Sequence, residues 1–186
     1  MTVTQRTTEV AGTRPDAGDG LLLWAAWLFT AAVVIHNSDH LRRGTDAVAS
    51  DVFWVGTLGV VIEVGVVVLV CQRHRLAPLT AAVTGWSLAP AYLAVHFLPE
   101  RSWVSDSFTS VDGVSALSWL AASLEVLAAV TLGLAGWRVL RRRGGLPSAV
   151  RPYGAQQSVG AALHHPAALL MLVANVVIVT ASFSQL

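Results

Sequence analysis

Lysine is absent from this chain of 186 residues, and all 12 basic side chains are arginine. Charge is scarce altogether: Asp, Glu and Arg make up 12% of the residues, against roughly a quarter in an average soluble domain. So few charges cannot cover a water-facing surface, which excludes a soluble globular protein. A formal net charge of +1 provides no basic stripe for a phosphate backbone, so nucleic acid is excluded as a partner. With 54% hydrophobic residues the chain is not a disordered polymer either. The single cysteine, Cys71, allows no internal disulfide and no cysteine-based zinc or redox motif. H-E-x-x-H, P-loop and G-x-S-x-G strings are missing as well.

What the chain does have is apolar length. A helix crossing about 30 Å of hydrocarbon needs roughly 20 mostly apolar residues. Five stretches meet or approach that length: 21–40, 52–71, 76–98, 115–140 and 161–183. Residues 1–20 are polar and rich in Thr, Gly and Asp, so they read as a disordered cytoplasmic tail. The expected fold is all-α: one polytopic transmembrane helix bundle over 21–186, in a cell (plasma) membrane with lipid as its first partner. Arginine sets the orientation. With the N-terminus inside, nine arginines lie on the cytoplasmic side and only Arg42, Arg43 and Arg101 outside, which favours N-in and C-out. Whether the bundle stands alone, pairs with itself or joins a larger membrane complex is open at this level.

The first four spans echo each other. His36 ends one span and Glu63 lies mid-way through the next, 27 residues on; His96 and Glu125 repeat the pattern at 29. That spacing reads as a 2+2 pseudo-repeat of helix hairpins.

Two of the acidic residues are unnecessary to topology. An ionisable side chain inside the bilayer costs about 2.5–3.5 kcal/mol, so Glu63 and Glu125 should face protein and act there. Gly56, Gly59 and Glu63 share one helix face, and Ser118, Ala122, Glu125 and Ala129 share another. Small residues mark close helix contact, so both carboxyl groups are expected to point into the bundle as a catalytic acid/base pair. The plainer alternative is structural, a glutamate hydrogen-bonded to Asn175, a threonine or a backbone carbonyl.

A second polar layer lies towards the outside. His36 and His40 stand at i, i+4, a workable spacing for two imidazoles on one metal ion. His96 ends the third span, with Tyr92 one turn deeper and Glu100 one turn beyond. Pro90 should bend that span and free the carbonyl of Trp86. His36, His40 and His96 are therefore the candidate metal ligands, with Asp39, Tyr92, Glu100, Asp106 and Asn175 as further pocket residues. The cofactor would be a divalent transition metal (Zn, Fe or Cu); the acidic neighbours suit such an ion better than a haem held by His36 and His96. His164 and His165 sit at the opposite end and read as a helix start.

These residues describe a pocket of histidines and carboxylates opening outward. The leading expectation is a membrane-embedded metal-dependent or acid/base enzyme acting on a lipid-like substrate. The alternatives are a proton- or cation-coupled transporter of a small molecule, and a haem-binding electron-transfer or accessory subunit of a membrane complex.

Overall fold

A computed structural model describes residues 17–44, 48–99 and 105–144 of the chain. The fifth apolar stretch with His164, His165 and Asn175, most of the N-terminal tail, and Glu100 lie outside the described residues. Among the described residues there is no strand. The order is α1 (Ala17–Arg43), α2 (Ser50–Cys71), α3 (Ala77–Tyr92), a π-helical turn (Leu93–Phe97) and α4 (Ala116–Arg142).

Three helices, Gly18–Arg43, Ser50–Cys71 and Ala116–Arg142, are long and apolar enough to cross a membrane. That fits a membrane protein. The third expected span divides: α3 alone has 16 residues, and the chain then widens into the π turn. Pro90, which has no N–H to donate, lies just before the change. Helix α1 begins at Ala17, earlier than the expected Leu21, because Asp19 joins its first turn, where a helix N-terminus favours negative charge, and takes an ion pair from Arg143.

Side-chain size, not polarity, separates the buried faces from the exposed ones. On α4 the inward stripe is Ser118, Ala121, Ala122, Glu125, Ala128, Ala129, Leu132 and Ala135. Its outward face carries Leu117, Leu120, Leu127, Leu134 and Trp137, each at least 40% exposed. Large apolar groups outside and small ones inside invert the pattern of a water-soluble helix and match a helix packed in lipid. Hydroxyls within the helices are satisfied locally; Thr30, Ser38, Thr57 and Thr131 each donate to the carbonyl four residues back.

Helix α4 is the hub, packing extensively against α3 and α1, whereas α2 touches α1 and α3 only sparsely. At the α3–α4 crossing a Cβ on Gly85 would lie 2.4 Å from the Ala129 carbonyl oxygen, and one on Gly136 would lie 2.6 Å from Pro78 O. Only glycine permits that approach. The corresponding α1–α2 hairpin has no such seam, so the expected pseudo-repeat finds no support in the packing. The Gly56–Gly59 face of α2 also departs from expectation. Among the described residues it makes no close helix contact: nothing lies within 4 Å of a Cβ on Gly56, and only Glu63 Oε1, at 3.9 Å, on Gly59.

Candidate metal centre and intramembrane cavity

The inward stripe of α1 runs Leu22, Ala26, Phe29 and Val33, then turns polar at His36, Asp39 and His40 without leaving the same face. His36 and Asp39 therefore sit in the core at one end of the bundle, with His40 part-buried beside them. The π turn brings His96 to them, 4% exposed. The chain then folds back over the turn: the Asp106 N–H donates to Val95 O at 3.1 Å and the Phe108 N–H to His96 O at 3.0 Å. These bonds satisfy terminal carbonyls that the helix end leaves open, and they carry the Asp106 side chain inside.

Three imidazoles now meet. Ring centroids of His36 lie 4.6 Å from both His40 and His96, and those of His40 and His96 are 5.9 Å apart. One nitrogen from each lies within 4.8 Å of the others, close enough to hold a single metal ion. The sequence expectation for His36, His40 and His96 is met in geometry.

Hydrogen bonds fix the tautomers. Arg43 Nη2 donates to His40 Nδ1 at 2.8 Å, so the proton of a neutral His40 is on Nε2, which donates to His36 Nε2 at 2.9 Å. His96 Nδ1 lies 3.3 Å from the Asp106 carbonyl oxygen and 3.4 Å from its carboxylate, so it donates there and leaves Nε2 as a lone pair. A carboxylate behind an imidazole is the usual outer support of a ligating histidine. A metal ion bound at His40 Nε2 would displace a proton, coupling binding to proton release.

Arg43 and Asp106 form the buried electrostatic anchor. The Arg43 side chain is fully buried, bonds both carboxylate oxygens of Asp106 at 3.3 and 2.7 Å, and lies 5.1 Å over the Phe108 ring. Burial by itself would raise the Asp106 carboxyl. Hydrogen bonds from His96 and Arg43, with the electrostatic influence of His40 and the Arg43 guanidinium, outweigh it and hold the group well below the usual carboxylate range. Arg42 ties the same end together, bonding Asp39 at 2.8 Å and the Ser118 hydroxyl of α4 at 3.0 Å.

Arg42, Arg43 and Phe108 were not singled out by the sequence. A signal existed: two arginines stood on the wrong side of the arginine count, three and four residues after Asp39.

Beneath the histidines lies a cavity of about 190 Å³ between α1, α2 and α3, lined by His36, His40, His96, Tyr92, Glu63 and Glu125 among others. Both predicted carboxylates and Tyr92 are therefore brought to one space. Tyr92 donates its hydroxyl to Glu63 Oε1. Glu125 Oε2 stands 3.6 Å from His36 Nε2. Asp39 is buried beside the two arginines and does not line the cavity. Six buried side-chain atoms lack a hydrogen-bond partner among the described residues, and His36 Nδ1, Glu63 Oε2 and Glu125 Oε2 are three of them. Such orphans in one place call for a water, ion or ligand. Comparison with known protein families, curated proteins and solved structures finds no match for this chain.

Proposed function

We propose that the protein is a membrane-embedded metal-dependent enzyme whose cavity takes a lipid-like substrate. One observation carries the reading: His36 and His40 of α1 and His96 of the π turn each bring a ligand nitrogen within 4.8 Å of the others. His96 has the Asp106 carboxylate behind it, and three imidazoles leave a fourth position open, the arrangement of catalytic rather than structural zinc sites. When bound, a divalent transition metal supplies Lewis acidity and activates water near neutral pH. Glu125, whose Oε2 stands 3.6 Å from His36 Nε2, would accept the proton of that water. Tyr92 holds Glu63 deeper in the cavity, and Glu63 meets the substrate's polar group. The arginine distribution favours a cytoplasmic N-terminus in the cell membrane, with the metal centre in the outer half.

Elemental analysis of the purified protein tests this. One equivalent of a transition metal per chain is expected, falling towards zero in His36→Ala and His96→Ala. Metal-free wild-type protein after metal-replete expression overturns the reading.

A second reading keeps the site and changes the task. Glu63 and Glu125 line one cavity with an unpartnered oxygen each among the described residues, which suits a proton- or cation-coupled carrier. A pH-dependent flux in proteoliposomes, abolished by Glu63→Gln, is its expected signature, and flux unchanged by that substitution removes it. A haem is disfavoured, since the His36 and His96 rings, 4.6 Å apart at 61°, leave no gap for a planar macrocycle.

A further inference from the structure

The cavity has two chemically different sides. Towards α1 and the π turn it is made of imidazoles. Towards α2 it is made of apolar walls, two glycines and a carboxylate. Its volume of about 190 Å³ is somewhat larger than the 150 Å³ cavity that accepts benzene, so it encloses roughly six to eight non-hydrogen atoms.

The glycines of the α2 wall do not serve packing. A helix-interior glycine costs about 1 kcal/mol relative to alanine. At a close helix crossing that cost is offset by contact, but among the described residues a Cβ on Gly56 would meet nothing within 4 Å, and one on Gly59 only Glu63 Oε1 of the same helix. What they supply is space. Gly56 is exposed on the outer surface of α2 and also lines the cavity, so it marks a mouth that faces the bilayer; Gly59 lies one turn deeper.

An independent observation points to an occupant. Glu63 is 5% exposed, and Tyr92 takes its Oε1. Glu63 is among the residues that line the same space, and its Oε2 is buried with no hydrogen-bond partner among the described residues. A ligand that satisfies it brings a hydrogen-bond donor, and a ligand that fills the space beside Gly56 and Gly59 brings an apolar segment. Val52, Val60, Leu88 and Val95 complete those walls. A hydroxyl fits this combination better than an ammonium, because shedding the water of a charged group to enter apolar surroundings costs far more.

We infer that the α2 face of the cavity is a binding subsite for an aliphatic alcohol drawn from the bilayer, its hydroxyl donated to Glu63 Oε2 and its first few carbons seated against Gly56 and Gly59. The inference rests on reading the cavity as a substrate pocket and assigns the chemical class of that substrate. Access is lateral, between α2 and the rest of the bundle. The remainder of a longer molecule stays in the lipid.

The test uses the full chain in lipid nanodiscs and 5-fluoropentan-1-ol, which has seven non-hydrogen atoms, followed by fluorine NMR. Wild type should show a saturable bound signal. Gly59→Leu, which fills the space, should abolish it, and Gly56→Leu, whose Cβ meets nothing within 4 Å among the described residues, should do the same at the mouth. Glu63→Gln should weaken binding about tenfold, and 1-fluorohexane, which lacks the hydroxyl, should bind at least about tenfold less tightly. Wild-type affinity in both glycine variants, or equal binding of the two fluorinated compounds, overturns the inference. Metal content measured on the same samples separates the two readings. Metal retained with no alcohol binding overturns the subsite alone. Alcohol binding by metal-free protein upholds the subsite and overturns the metal reading.

Discussion

Helix α2 and the body formed by α1, α3 and α4 are built from the same residue types to opposite ends. In the body, Gly85, Gly133 and Gly136 let two backbones touch; on α2, a Cβ on Gly56 or Gly65 would meet nothing within 4 Å among the described residues. In the body, Arg42, Arg43, Asp39 and Asp106 neutralise one another between α1 and the loop after the π turn, and Arg42 also bonds the Ser118 hydroxyl of α4; Glu125 of α4 stands apart from that network and lines the cavity. Helix α2 contributes one buried acid, Glu63, which lines the cavity and has one oxygen without a hydrogen-bond partner among the described residues. Burial follows the same division, with 28% of the most apolar window of α2 buried against 50% for α4. The contrast separates a rigid scaffold, which holds the histidines, from a looser wall, which makes room beside them. In a membrane, where lipid competes equally for apolar surface, close approach of small residues is what makes a helix pair rigid.

That contrast is open to attack from both sides. The largest effect is expected from Arg43→Ala, which leaves Asp106 buried without its bidentate partner; breaking a buried pair costs about 3–5 kcal/mol, read as a lowered thermal midpoint in detergent. Next is Gly85→Val. Its side chain would collide with the backbone of α4, and a loss of about 3 kcal/mol is expected, at the upper end of ordinary overpacking. A seam that tolerates valine would erase the distinction between body and wall.

Asp106 provides a pH arm. Its carboxyl is held below the usual range in the folded protein, so it stabilises the fold above a pH of about 4. That stability is lost as pH falls from there towards the lower folded value. Acid unfolding of chelator-treated protein should show this loss, and Asp106→Asn should be less stable at neutral pH and flatter in acid. The smallest effect belongs to α2. Gly56→Ala and Gly65→Ala should change stability by less than about 1 kcal/mol and in the favourable direction, since helix propensity improves and nothing is displaced. A loss comparable to Gly85→Val would show that α2 packs tightly after all.

Much of this arrangement was legible in the sequence, and the missing parts share a cause. Apolar runs located α1, α2 and α4 to within a few residues, because a helix in lipid must be apolar along its length. The i, i+4 spacing of His36 and His40 predicted a shared face, and the span end at His96 predicted its depth. Pro90 was expected to bend the third span; α3 runs on through it to Tyr92, and a proline does not say that a π turn follows. The Arg43–Asp106 anchor spans 63 residues, and Arg42 reaches Ser118 across 76; neither is a local pattern. Arginine was read as a topology marker, which hid two that act as structural cations. Small residues on one face signalled contact for Ala122 and Ala129 but misled at Gly56 and Gly59. A glycine that makes contact and one that makes space are identical in sequence, and only the neighbouring helix distinguishes them.

The central claim is that His36, His40 and His96 form one metal centre. X-ray absorption at the metal edge of the purified protein tests it most directly. Zinc in this site should show three imidazole nitrogens at about 2.0–2.1 Å, and His96→Ala should reduce that shell. A metal bound through oxygen alone, or a nitrogen shell unchanged by His96→Ala, would contradict the account.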